Sequence, residues 1–574
     1  MSALRPPGLG PIIGHTTDTT CRLWIQAGKI GDEDIMSDLS ANRRTVGVIG
    51  VMSGKDAQTA VVKDAFYFRL HREFDRTGTF VLGEHVALGR HEDDVGLDGA
   101  PDKPVPLTPD SEYTVRMATL SLDDPLEDAD RLTDVELKDR LPDLNKIKDQ
   151  LRQLRQKECQ LTFRTFPKET GGTEDKLAFL LGSCRYPGLM WKIKEADRIF
   201  GPMVEHFEDA PGRKSARFNL MVGDQIYADM FNKFPLGLAD TYEEFQDRYQ
   251  KAFGSINMRQ LLKTAPTYMI LDDHEIEDNW TQDQLHRDGK YQIFNLAIGA
   301  YMSYQWSHGP HNFDRHLYYE FVCGGYPFFV LDTRTQRFKD KDEEGLRDNH
   351  LLGRPTIDPA HRGQLDELLV WLSECQSRGN QPKFIVSSSV FAPNEMKERM
   401  GVPYSPDPEL IFDANRKRRD DSDSWPAYPK TRKAIIDHIV REKIQNVVFL
   451  TGDIHCSNIA RLFFKTGGGD SGLFAYDVTS SAFYWPYIIA DGDPNDYVHD
   501  STAPDQLDPF PFQNGVMDYE AWAFTQEDNF ARIEIDKANS RLVVRYYDRD
   551  GKLLEVRGLK NERLLENALD LKPW

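Results

Sequence analysis

Two patterns of apolar and polar positions divide the chain. Up to about residue 170, CRLWIQAG, RTVGVIGV, AFYFRLHREF, TGTFVLG and SEYTVRMATL are short, alternating runs rich in Val, Phe, Tyr and Thr. A period of two marks strands with one buried face. Turn residues such as Arg76-Thr77-Gly78 and Pro109-Asp110 separate the runs, and the whole predicts a β-sandwich-like domain over 1–170. One stretch departs from the pattern. From Leu126 onward, apolar residues fall at 132, 135, 141, 144, 147, 151 and 154, with charged residues between them. Steps of three or four are helical, and Pro142 divides the segment into two helices. A helical insertion at about 125–157 is expected, as a solvated decoration, before CQLTFRTFP resumes a strand.

KETGGTED at 168–175 reads as a linker. Beyond it the apolar runs become continuous: LAFLLGSC, FNLMVGDQIY, TYMILDDHE, PFFVLDTR, KFIVSSSVF and NVVFLTGDIH. Strands covered on both faces have this character. They alternate with amphipathic segments such as YEEFQDRYQKAF, GQLDELLVWLSEC and RKAIIDHIVREKI, so 176–574 is expected to be a layered α/β domain. Near the end, FARIEID and RLVVRYYDRDGKLLEV read as an antiparallel pair. RKRRDDSDSW at 416–425 reads as a charged loop.

Composition narrows the function. The 574 residues carry 71 Lys plus Arg against 92 Asp plus Glu, a balance of 71 − 92 = −21. A surface this acidic repels phosphate polymers, so nucleic-acid binding is not expected. Six cysteines with no CxxC spacing do not make a disulfide framework and fit a reducing compartment. No run approaches the ~18 apolar residues of a membrane span. No signal-peptide pattern is visible at the N-terminus, so a cytoplasmic location is the expectation.

The chemistry gathers where the apolar runs end. LAFLLG ends in Ser183-Cys184-Arg185, LMVG in Asp224 with Tyr227 three residues on, YMIL in Asp272-Asp273-His274-Glu275, FFVL in Asp332-Thr333-Arg334, and VVFLTG in Asp453-Ile454-His455. Ligands of open α/β sheets bind at the carboxyl ends of strands. Any single strand-end Asp is commonly a helix cap. Several converging carboxylates would repel one another and protonate unless cations intervene. Thiol, phenol and imidazole beside carboxylates suit an iron or zinc ion, and an oxygen-rich neighbour suits calcium, manganese or magnesium.

GSCR, GDQIYAD, DDHEIEDNW, DTR and GDIH, in this order, resemble the PhoD-like alkaline phosphatases of the calcineurin-like metallophosphoesterase superfamily; DSDSWPAYPKTR is similar to a further segment of that family. The resemblance covers about 176–560 and implies an α/β/β/α sandwich preceded by an all-β sandwich-like domain. It implies two or more metal ions, iron(III) plus calcium, with zinc, manganese or magnesium as alternatives. Asp224 would bridge two metals, and Cys184, Tyr227 and His455 would complete one site. Asp273 and Asp453 would serve the other, and His274 would lie beside the scissile bond. Two departures stand out: Ser387-Ser388-Ser389 replaces the family's amides after the fifth strand, and the export signal of most members is not seen.

The implied reaction is hydrolysis of a small phosphate ester, monoester or diester. A hydroxide shared by metals roughly 3.5–4 Å apart would attack phosphorus in line. His274 would protonate the leaving oxygen or position a ligand. Arg334 would bind phosphate or brace Asp332, and Arg185 is open to the same two readings. Trp425 and Tyr428 would wall the substrate or pack in the core. Cys456 points away from His455 on an extended strand, and His286, His308, His311 and His316 read as packing or surface residues. Competing readings are a phospholipase D-like phosphodiesterase and a non-catalytic scaffold held by metals. No protein partner is indicated.

Overall fold

The structure is a computed structural model. It describes residues 3–28, 43–56, 59–71, 74–83, 105–125, 139–170, 172–188, 193–230, 238–313, 316–339, 349–353, 362–394, 423–467, 469–486, 497–504 and 507–574. The first seven strands are β1 (Leu9–Thr16), β2 (Thr20–Gln26), β3 (Arg43–Met52), β4 (Val62–Arg69), β5 (Thr77–Gly83), β6 (Glu112–Pro125) and β7 (Gln160–Arg164). They form a three-stranded sheet, β1-β2-β5, and a four-stranded sheet, β4-β3-β6-β7. Alternate residues of the two sheets, among them Ile13, Leu23, Ile49, Phe80, Met117 and Phe163, bury a common core. The expected sandwich is therefore present.

The helical stretch does more than decorate it. Helix α1 (Leu144–Gln153) starts after Pro142 and is capped by the Asp143 carboxylate, which accepts from Asn145 N. Its Ile147 and Leu151 are fully buried against Val46, Val48, Ala118 and Leu120, so it covers the outer face of the four-stranded sheet. The first half of the expected helix pair, 126–138, lies outside the described residues, as do 416–422 of the charged loop.

The rest of the chain builds two larger sheets and a small two-stranded ribbon at Val556–Arg557 and Arg563–Leu564. Their strands are β8 (Lys176–Gly182), β9 (Asn219–Met221), β10 (Thr267–Met269), β11 (Tyr319–Cys323), β12 (Tyr326–Val330), β13 (Lys383–Val386), β14 (Val447–Thr451), β15 (Ser457–Thr466), β16 (Gly469–Thr479), β17 (Phe510–Phe512), β18 (Gly515–Thr525), β19 (Asn529–Asp536), β20 (Arg541–Asp548), β21 (Val556–Arg557), β22 (Arg563–Leu564) and β23 (Asn567–Asp570). One sheet runs β10-β9-β8-β19-β20-β23 and the other β11-β12-β13-β14-β16-β15-β18-β17. The expected antiparallel pair is β19 and β20.

Alternation along single strands explains the layers. In β8, Leu177, Phe179 and Leu181 face the opposite sheet, where Phe179 meets Phe328 and Phe384 edge-on. Leu180 faces the other way, towards Phe200, Met203 and Tyr249 of the covering helices. In β13, Phe384 and Val386 face inward, while Ile385 meets Leu368, Leu372, Ile435 and Ile439. Apolar side chains at every position are what a strand needs when a sheet covers one face and helices the other. The result is the expected α/β/β/α sandwich. No described helix is long and apolar enough to cross a membrane.

Candidate metal centre

The parallel strands β8, β9 and β10 of one sheet and β12 and β14 of the other bring their carboxyl ends to one edge. The chain then turns sharply. Cys184 (φ 57°), Asp224 (φ 56°), Asp453 (φ 77°) and His455 (φ 52°) all adopt the left-handed region, which side-chain-bearing residues rarely occupy. Such conformations persist only where the surroundings fix them. Here Cys184 N donates to Gly223 O (3.1 Å), Arg185 N to Asp224 O (2.9 Å), and His455 N to Asp453 O (3.0 Å). Gly223 (φ 106°) lets two loops touch: a Cβ there would sit 2.5 Å from Asp272 Cβ.

These turns direct the side chains to a common point. Donor atoms of Cys184, Asp224 and His455 lie within 4.8 Å of one another, as do those of Asp224, Asp272, Asp273 and Asp453, and those of Asp224, Asp273 and His274. The Tyr227 hydroxyl lies 3.3 Å from Asp224 Oδ2 and 3.4 Å from His455 Nε2, so the phenol joins the first group. Asp224 belongs to every group. All six residues expected to ligate metal are therefore adjacent, and Asp272 is an addition the sequence reading did not assign.

Burial and mutual repulsion dominate the electrostatics of four of these donors. Burial, then repulsion from Asp224 and Asp453, pushes the Cys184 thiol well up. Burial pushes the Asp224 carboxyl well above its usual range despite the offset from His274. Burial and Asp272 do the same to Asp453, and burial and Asp224 to the Tyr227 phenol. Asp224 Oδ1 and Asp272 Oδ2 are buried without a hydrogen-bond partner. Cations seated among these atoms would relieve both the repulsion and the missing partners. The donor set fits metal ions: sulfur, nitrogen and phenol on one side, carboxylates alone on the other.

Neighbouring residues brace this cluster. Arg334 is wholly buried. Its Nε donates to Asp272, its guanidinium is 2.6 Å from Asp423, and it lies 3.4 Å from Asp273 and 3.8 Å from Asp453. The Asp332 carboxylate instead accepts from the backbone N–H groups of Arg334 and Thr335, so the expected Asp332–Arg334 side-chain brace is absent. Burial opposes charge on Asp273, but Arg334 and His274 outweigh it and hold this carboxyl below its ordinary range. His274 Nδ1 lies 2.9 Å from both oxygens of Asp229. Burial disfavours its charge, yet Asp273, Asp224 and Asp229 together raise its pKa well above the ordinary value. Ser388 Oγ donates to Asp272 (2.7 Å), and Ser389 Oγ accepts from Arg337 (2.6 Å), so two of the three unusual serines position the residues around the donors.

Three expected substrate contacts lie elsewhere. The Arg185 guanidinium turns to Ser255 Oγ (3.3 Å) and over the Phe200 ring. Trp425 and Tyr428 are fully buried. Trp425 packs on Phe391 and donates to Ser387, and Tyr428 lies beneath the Arg337 guanidinium. These aromatics are core rather than an open wall. Asp229, Asp423 and Trp485, which stacks on His455, were not singled out from the sequence. Asp229 falls within GDQIYAD and Asp423 within DSDSW, but neither stretch shows which element its carboxylate will meet.

Residues 199–483 match the family model described as PhoD-like phosphatase. Alkaline phosphatase D of Bacillus subtilis (strain 168) is 25% identical over 229 residues, 38% of this chain and 36% of that protein, so the match spans about a third of that relative. A solved structure titled "Structure of PhoD" superposes with a TM-score of 0.58 and 16% identity, covering 96% of this chain and 90% of that one.

Proposed function

Because the chain belongs to the PhoD-like phosphatase family, we propose that it hydrolyses small phosphate esters at a centre of two or more metal ions. The observation that carries this reading is Asp224, whose carboxylate is shared by a sulfur- and nitrogen-containing donor group and an all-carboxylate one. Cys184, Tyr227, Asp224 and His455 would hold an iron-like ion, with zinc as the alternative. Asp224, Asp272, Asp273 and Asp453 would hold calcium, or manganese or magnesium. We take 1–170 as the sandwich domain and 176–574 as the catalytic one.

Metal ions at such a centre acidify water towards neutral pH and offset charge on phosphoryl oxygens. The chain's own groups supply the rest. Asp224 fixes the spacing of the two donor groups. Arg334 favours the ionised form of Asp273 and keeps both Asp272 and Asp273 in place through its buried pairs. His274, with Nδ1 committed to Asp229, has Nε2 left to give a proton to the departing oxygen. Asp229 orients that imidazole and favours its protonated form.

Turnover of p-nitrophenyl phosphate and bis(p-nitrophenyl) phosphate, before and after chelation, tests the proposal. Activity should vanish on chelation, return with metal, and be absent in Asp224→Asn. Near-normal turnover by that variant with its metal retained would defeat the shared-ligand reading.

A further inference from the structure

An indole packs against the donor group. The Trp485 indole is stacked on the His455 imidazole, centroids 3.6 Å apart and planes 9° from parallel. We propose that Trp485 is a positioning residue that sets the plane of the His455 ring; the inference rests on the metal-centre reading above.

The backbone fixes where His455 starts but not how its ring turns. The tight turn at 452–455 sets its Cα–Cβ direction through Ile454 N to Gly452 O and His455 N to Asp453 O, both 3.0 Å. Rotation about the Cβ–ring bond of histidine is intrinsically broad. Nε2 must nevertheless face the Tyr227 hydroxyl and the donor group it shares with Cys184 and Asp224. A parallel indole against one face restricts that rotation, because turning the imidazole drives an edge into it.

Trp485 is itself held. Its backbone N donates to Asp528 Oδ1 (3.0 Å), and its ring meets Tyr186 edge-on at 5.6 Å. The preceding residues are laced to the strand end that carries the thiol: Phe483 N donates to Ser183 O (2.7 Å), Tyr484 N to Cys184 O (3.3 Å), and Tyr186 N to Tyr484 O (3.1 Å). The connection that locates Cys184 therefore also locates the indole that orients His455. Two ligands from different sheets are kept in register by one short segment.

The test uses cobalt(II) added to chelated full-length protein. The readouts are affinity by competition with a chromophoric chelator and the cobalt–thiolate absorption band of Cys184. Trp485→Leu removes the flat surface and keeps an apolar side chain; Trp485→Phe keeps a ring. Trp485→Leu should bind cobalt about tenfold more weakly with a shifted band. Trp485→Phe should restore both, and the metal-free melting temperatures of the two variants should agree. Wild-type affinity and spectrum in Trp485→Leu, or no recovery in Trp485→Phe, overturns the proposal. His455→Ala separates the two readings: if it too binds cobalt normally, the metal-centre assignment fails, whereas weakened binding there with normal Trp485→Leu removes only the role of the indole.

Discussion

Replacing Arg334 by Met removes a cation from among four carboxylates while roughly keeping its volume. The guanidinium contacts Asp272 and Asp423 directly and lies 3.4 Å from Asp273 and 3.8 Å from Asp453. At an effective dielectric of about 20, the two longer contacts alone correspond to gross attractions of about 4–5 kcal/mol each, most of it offset by the desolvation of the charges. Breaking one partner of a buried pair costs about 3–5 kcal/mol net, because it strands the other charge. The cost must depend on pH. Asp273 has a folded pKa below its unfolded value of about 3.9, so its contribution is present above that pH and is lost as pH falls through the folded value. Without Arg334, burial dominates and raises that pKa instead. The ionised carboxylate then opposes folding, and more so as pH rises above about 4. Urea unfolding of chelated wild type and Arg334→Met at pH 5 and pH 8 measures this. The variant should lose about 3–5 kcal/mol at pH 8 and less at pH 5. A loss under about 1 kcal/mol at pH 8, or a penalty that grows on acidification, would refute the bracing role.

Other expectations concern the proposed proton donor, the proposed first metal site, a glycine and a buried acid. Asp229→Asn should lower the His274 pKa and move the alkaline limb of the rate profile to lower pH; an unmoved limb takes Asp229 out of the mechanism. His274→Ala should slow esters with poor leaving groups more than p-nitrophenyl esters, and an equal loss would mean it only positions other groups. In iron-loaded protein, Tyr227→Phe should abolish the tyrosinate charge-transfer band, whose survival would remove the phenol from the ligands. Gly223→Ala places a Cβ 2.5 Å from Asp272 Cβ at φ 106° and should cost about 1–3 kcal/mol and much of the metal affinity, read by melting and metal titration; wild-type behaviour would show the two loops can part. Asp477 accepts from Phe391 N, Ala392 N and Thr451, and burial pushes its pKa up to about 7. Its folded state keeps a proton the unfolded chain gives up near 4, so stability should fall as pH rises from about 4 to 7, by at most ~1.4 kcal/mol per unit. Asp477→Asn should flatten that slope in urea midpoints, and an unchanged slope would assign it to other groups.

Much of this site was legible because its residues end continuous apolar runs, where chain direction alone predicts a shared edge. Cys184, Asp224, Asp273, Asp453 and His455 follow that logic. Asp272 did not, since neighbours on an extended strand point to opposite sides, and here the 3₁₀ turn at Asp273–Glu275 brings both acids inward. Strand β1 is not among the expected runs: Gly10 (φ 85°) and Pro11 interrupt its apolar pattern, although the chain pairs with β2 on either side of them. The runs around β9 and β10 looked longer than the three residues that pair, because the chain leaves the sheet early to form the site loops. Trp425 and Tyr428 stand next to a site motif in sequence, yet their side chains fill the core behind it. Trp485 had no local signal at all: its contact with His455 arises from lacing between distant loops.

The most direct measurement is anomalous scattering from crystals of the metal-replete protein. The account predicts two peaks, each within coordination distance of the Asp224 carboxylate, one also touching Cys184, Tyr227 and His455 and the other Asp272, Asp273 and Asp453. A single peak, or two peaks that share no ligand, would contradict it.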